Sequence, residues 1–304
     1  MAITEPVRSR RGGLADARQA ELHDAELSGL DALQADEGGH RSRRARLWSA
    51  TWPKLAAVAL ALGLWQLLVE LEWRPEFVLK SPFTALDRLW QDALTGDFWT
   101  AVAITMRRAA VGFALAVAIG TVVGMATARS RVLRAAIGSF ITGLQTMPSI
   151  AWFPLAILLF GLSEGAIRFV VVLGAAPSIA NGLIAGVDQV PPLLLRAGRV
   201  LGARGLAAWR HVVLPAALPN FLGGLKQGWA FAWRSLMAGE LLVIIAETRS
   251  IGTTLSFSRQ LSDSAGLLST MIVILLIGIL VDSLLFGTVE RAVRRRWGLT
   301  ESGR

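Results

Sequence analysis

The 304-residue chain contains no cysteine and no tyrosine, and only three histidines, His23, His40 and His211. Without cysteine there is no disulfide scaffold, no thiolate metal site and no cysteine nucleophile. No His-Glu-x-x-His or clustered metal spacing occurs, and no Gly-x-x-x-x-Gly-Lys-Ser/Thr phosphate loop. The chain is therefore not expected to bind ATP itself, and no catalytic, metal or cofactor site is expected. Charge is also scarce. Only 17% of residues are charged and 53% are hydrophobic, against roughly a quarter charged in soluble domains. The mean hydropathy is +0.51. These values, with the apolar residues gathered in long blocks, point to an integral membrane protein. Alternating ten-residue strands, the pattern of an outer-membrane barrel, are absent.

Residues 1–47 differ from the rest, being polar and lacking a long apolar run. They read as a disordered solvated tail, with a short polar helix compatible with residues 14–33. A regulatory tail is the alternative. A signal peptide is not expected, because the charged lead is too long and no small-residue cleavage site follows the first apolar run. Residues 48–298 read as a transmembrane domain and 299–304 as a second tail.

Six stretches are long enough to cross a bilayer as helices, which takes about 20 residues. They cover about 52–71, 100–128, 135–162, 167–187, 216–246 and 265–289. An all-α membrane protein of six transmembrane helices follows, with both termini on one side. One set of flanks carries Arg41, Arg43, Arg44, Arg46, Lys54, Arg129, Arg131, Arg134, Arg196, Arg199, Arg204, Arg210, Arg291, Arg294, Arg295 and Arg296. The opposite set has Arg74, Lys80, Arg88, Arg249 and Arg259. The richer side should be cytoplasmic, so both termini are expected there. This distribution accounts for the net charge of +9 without nucleic acid. Residues 72–98 then lie outside or along the outer leaflet.

Glycines recur four apart at Gly120/Gly124, Gly182/Gly186 and Gly224/Gly228. That spacing lets helix backbones approach closely, either as moving gates or as static packing. Pro148, Pro154 and Pro177 imply kinks or local unwinding. Eleven tryptophans stand beside no tyrosine. Trp48, Trp52, Trp73, Trp90, Trp99 and Trp297 fall near span ends, where indole suits the interface. Trp152, Trp229 and Trp233 lie inside spans, lining a path or packing the core.

The loop at 188–214 is the most informative segment. Pro191 and Pro192 suit a helix start, residues 195–201 are helix-compatible, Gly202 and Gly205 allow a sharp turn, and residues 206–213 can form a second short helix. Two short helices joined by a glycine turn suit docking onto a soluble partner. The loop resembles that of the permease subunits of bacterial ATP-binding-cassette importers, marked by Glu-Ala-Ala, three residues, Gly, nine residues, Ile, one residue, Leu-Pro. The matching positions are Arg196, Ala197 and Gly198, then Gly202, then Val212, Leu214 and Pro215. The spacing is complete. Arg196 replaces the family's acid and Gly198 its second alanine. Further stretches resemble the nitrate, taurine and aliphatic sulfonate branch: residues 65–68, 81–82, 108–113, 147–154 and 159–164, and Ala232-Trp233 followed by Glu240-Leu241-Leu242.

The resemblance implies a type I importer permease fold and a homodimeric pathway. Two separate ATPase subunits would grip the 188–214 loops, and an extracytoplasmic binding protein would set substrate affinity. Alternating access would rock helices around 109–128, 140–160 and 220–246. An aliphatic sulfonate is the favoured cargo, with nitrate, taurine or a pyrimidine or thiamine precursor as alternatives. An ion-coupled secondary carrier is the cross-class alternative, for which only Glu240, Glu247 and Asp282 are available; a membrane-embedded enzyme would need a cluster of acids or histidines that is missing. Intramembrane charges are costly and often functional. Trp152, Trp233, Arg234 and Glu240 are candidates for the path, and Lys226 is a second cation suited to an oxyanion. The plainer alternatives are that Arg234 pairs with Glu240 or caps backbone, that Lys226 snorkels, and that Asp282 pairs with a local arginine.

Overall fold

The computed structural model describes residues 43–245 and 248–296. Residues 1–42 of the first expected tail, the second tail, Trp297 and Glu247 lie outside the described residues; residues 43–47, expected as part of the disordered tail, are instead the start of a helix. The chain divides at Leu64 into two units. The described part of the first is the opening of α1 (Arg43–Glu70), whose apolar segment begins at Thr51. All regular elements of the described residues are helical.

The second unit contains α2 (Pro82–Ala93), α3 (Gly96–Arg129), α4 (Arg131–Thr146), a 3-10 turn (Ser149–Trp152), α5 (Phe153–Phe160) and α6 (Glu164–Asp188). They are followed by α7 (Pro192–Val200), the short α8 (Leu206–Ala208), α9 (Leu214–Leu242), α10 (Ile251–Gln260), α11 (Ser264–Leu280) and α12 (Gly287–Arg296). Hydroxyl and carboxylate side chains start many of these helices by capping otherwise unpaired N–H groups. Ser81, Thr95, Ser130, Ser163, Ser250 and Asp263 accept from Thr84, Phe98, Leu133, Gly165, Thr253 and Gly266 respectively.

Among the described residues, four helical segments are long and apolar enough to cross a membrane: Thr51–Glu70, Gly96–Arg129, Glu164–Asp188 and Ser264–Arg296. The predicted third span is not one rod. Its two halves, Arg131–Thr146 and Ser149–Phe160, meet at 104°. Met147 and Pro148 form the break: Met147 is extended, as a residue before proline prefers, and Pro148 donates no hydrogen bond. The predicted fifth span is α9, a continuous helix of 29 residues that carries Lys226, Arg234 and Glu240. Pro177 is absorbed within α6 without breaking it.

Helix α6 is the axis of the core. It lies between α3 and α9, and the glycine pairs set the separation. A β-carbon on Gly120 would meet the Ala176 carbonyl at 2.7 Å, and one on Gly124 the Ala180 carbonyl at 2.9 Å. One on Gly182 would sit 2.5 Å from the Gly224 Cα. Only glycine allows backbones this close. Around these contacts Val170, Val171, Ile179, Trp229 and Leu236 are buried.

Candidate functional site: an exposed elbow and a buried ion cluster

The 188–214 loop folds as two short helices around a turn. Pro192 occupies the first turn of α7, three residues earlier than the helix-compatible stretch suggests. The end of α7 is a Schellman cap: Gly202 N donates to Arg199 O at 3.1 Å and Ala203 N to Gly198 O at 2.8 Å. Gly202 takes φ +85° to close it. Gly205 then reverses the chain at φ +53° and ψ −121°, a conformation that side chains resist. A π-helical segment, Trp209–Val213, leads from α8 into α9. It ends two residues before Pro215, which has no N–H for a regular helical bond back to His211.

The motif residues divide by environment. Gly198 is buried, and a β-carbon there would approach Val212 Cγ2 to 2.8 Å. The two ends of the motif are thus pressed together, which holds the elbow closed at its base. Arg196 and Ala197 point outward. The tip is apolar and bare: Val200, Leu201 and Leu206 are 88%, 86% and 73% exposed. Arg199, Arg204 and Arg210 surround it, all exposed. At the root, Arg134 grips the Asp188 carboxylate with two contacts of 2.8 and 3.0 Å, and Asn220 donates to Gln189 at 3.0 Å. His211 bonds the Ala207 carbonyl within the same segment.

The four residues proposed for a path fall in three places. Glu240 is fully buried in an ion cluster with Arg108. Arg108 Nη1 donates to Glu240 at 2.9 Å, while its Nε and Nη2 hold Glu164 at 2.8 and 2.6 Å. Thr105 Oγ1 donates to Glu240 Oε2 at 2.9 Å and accepts from Ile251 N, and Gly252 N donates to the same Oε2 at 3.0 Å. The cluster therefore ties α3, α6 and α9 to the first turn of α10. Trp233 stacks on Trp229 at 6.1 Å and faces α11. Trp152 and Arg234 share a third site, a cavity of about 310 Å³ beside the α4–α5 break.

Of the two readings for Arg234 the backbone one holds, and the expected pairing of Asp282 is corrected. Arg234 does not reach Glu240; its Nε donates to Ala230 O at 3.2 Å and its guanidinium stacks on Phe231. Asp282 pairs with Lys226 at 3.3 Å rather than with an arginine. The roles of Thr105 and Arg108 in fixing Glu240 were missed. Their spacing of three on one helix, facing a distant lone acid, was the available signal.

Comparison with known proteins decides the family. Residues 116–295 match the family described as "binding-protein-dependent transport system inner membrane component". The chain belongs to that family. An ABC transporter permease protein of Methanocaldococcus jannaschii is 31% identical to this permease over 232 residues, 75% of this chain and 86% of its own. The taurine transport system permease of Escherichia coli is 28% identical, covering 81% of this chain and 90% of its own. An aliphatic sulfonates permease of Bacillus subtilis is 29% identical, covering 76% and 83%, and the nitrate import permease of Leptolyngbya laminosa is 28% identical, covering 79% and 87%. The inward-facing structure of the MetNI methionine ABC transporter shares the fold, with a TM-score of 0.51 at 22% identity over 64% of this chain and 93% of that one. The permease is thus an all-α, multi-pass membrane component of a transport system of this branch.

Proposed function

We propose that the permease is the translocation subunit of an ATP-driven importer that carries a small organic anion, an aliphatic sulfonate by preference, into the cytoplasm. Two copies form the pathway, one ATPase subunit docks on each elbow, and an external binding protein delivers the solute. Both termini and the elbow face the cytoplasm, the side with more arginine. ATP-driven closure of the ATPase pair would pull on the elbows and bias the helices between inward- and outward-open states.

The elbow carries this reading. A chain without a phosphate loop presents a rigid, capped projection whose apolar tip is uncovered and ringed by arginines. Such a tip suits the filling of a groove on a soluble partner. Its root is bonded to α4, α6 and α9, so a push at the tip reaches the long helices. The sulfonate preference rests on the named relatives and on a pathway-side guanidinium suited to oxyanions.

Deletion of residues 196–205, or Gly202→Trp, is expected to abolish co-purification of the ATPase subunit while the permease still inserts. Normal co-purification would reject the docking role. Growth on an alkanesulfonate as sole sulfur source, with and without this chain, tests the cargo. Undiminished growth without it, in cells with no second sulfonate importer, would reject a sulfonate.

A further inference from the structure

A charge within a membrane helix needs a counter-charge or water beside it. Arg108, Glu164 and Glu240 satisfy one another, and Lys226 and Asp282 form a second set. Within the long helices, Arg107 of α3 and Arg234 of α9 stand outside these sets, and Arg234 lines a cavity. Arg234 sits about 12 Å before the end of α9 at 1.5 Å per residue, and it forms no ion pair among the described residues. Its Nε is bound to the Ala230 carbonyl, and the Phe231 ring lies 4.7 Å from its Cζ. Stacking on one face leaves the outer edge of the guanidinium, with its two terminal nitrogens, for in-plane bonds to an oxyanion.

Arg234 lines the cavity of about 310 Å³, large enough for a short organic anion. Its remaining lining is selective in character. Trp152, Ile150 and Leu173 supply apolar wall, and Ser149 supplies a hydroxyl, while Thr146 Oγ1 already donates to Gly143 O at 2.8 Å. Gln145 is already committed, donating to Ser178 at 2.8 Å and accepting from Asn181 at 2.7 Å. No aspartate or glutamate lines the cavity. A cationic tail would find no counter-charge there.

We propose that this cavity is a contact point of the translocation path for a monoanion with an oxyanion head and an uncharged, apolar tail. Arg234 holds the head and the wall around Trp152 receives the tail. The assignment rests on the transport reading above and narrows its cargo: an alkanesulfonate fits better than an amino-sulfonate zwitterion. A lipid phosphate offers the same oxyanion chemistry and must be separated by experiment.

Because the chain has no cysteine, Ser149→Cys gives it one thiol in the cavity wall. The full transporter is placed in phosphatidylcholine discs. Labelling of this chain is timed with a methanethiosulfonate bearing a sulfonate and with its trimethylammonium counterpart. The anionic-to-cationic rate ratio should fall about tenfold in Arg234→Gln, the effect of losing one nearby charge at intermediate dielectric, and should be largely kept in Arg234→Lys. In Ser149→Cys alone, ethanesulfonate should slow labelling and taurine should do so less. That arm does not depend on any Arg234 variant folding. The proposal is overturned by an unreactive thiol, by a ratio indifferent to Arg234, or by equal protection from taurine. Protection seen only when phosphatidylglycerol is added, and not with ethanesulfonate, assigns the site to lipid and overturns it as well. The ATPase band in the same preparations separately scores the docking reading.

Discussion

At the residue scale, two features carry most of the structural consequence. The first is Glu240, a fully buried carboxylate held by Arg108, Thr105 and the Gly252 amide. Removing one partner of such a pair leaves a desolvated charge without compensation, which costs about 3–5 kcal/mol. Arg108→Met is expected to lower the melting temperature of the detergent-solubilised protein sharply, and Glu240→Gln less so, since the amide can still bond both Arg108 and Thr105. Equal, small shifts in a thermal unfolding assay would show that the cluster is not holding these helices together. The second is Gly205, at φ +53° and ψ −121°. Gly205→Ala should cost about 1–3 kcal/mol of local strain and weaken ATPase binding, although no neighbouring atom obstructs a β-carbon there. Unchanged binding in a pull-down titration would mean that the turn is not needed in this shape. Both residues were visible in the sequence, but their partners were not read equally well. Gly205 was placed in its turn from local chemistry. Glu240 was offered Arg234 as partner, yet six residues along a helix turn the two about 240° apart, which faces them away from each other.

At the element scale, α6 is held between α3 and α9 by backbone contact at glycine. The periodicity of four made the contact faces legible, though not which helices they join. Gly182 and Gly224 face each other with no side chain able to move aside. Gly182→Ala or Gly224→Ala should therefore destabilise by about 1–3 kcal/mol through overpacking. Gly223→Ala, where a β-carbon meets nothing within 4 Å, should be neutral or stabilise slightly through helix propensity. Thermal unfolding of the three variants in one detergent checks this contrast, and equal losses at all three would contradict the packing described. The broken third span marks the limit of pattern reading. Residues 135–162 have no charge and satisfy any hydropathy window, so composition alone describes a rod. The break depends on Met147 and Pro148, whose backbone preferences outweigh the apolar run. Proline had signalled unwinding there, but a turn of 104° depends on what the second half packs against, which sequence does not display.

At the scale of the whole molecule, the scarcity of charge pointed to a membrane, in agreement with the family, and the arginine asymmetry gives the orientation on which the proposed function rests. The family match then agreed with the elbow motif read from spacing, despite arginine where the family has an acid. What sequence could not supply was which intramembrane charges join a closed ion cluster, which form the Lys226–Asp282 pair, and that Arg234 is left beside a cavity, because this is set by which helix faces meet. The account depends on the elbow tip being seated in a cytoplasmic ATPase. Leu201 is at that tip and 86% exposed, and Leu201→Cys would be the sole thiol of this chain. In native membranes a short bifunctional thiol reagent should link position 201 to the ATPase subunit, and a membrane-impermeant thiol reagent added to intact cells should leave it unlabelled. Labelling from outside, with no link to the ATPase, would contradict the account.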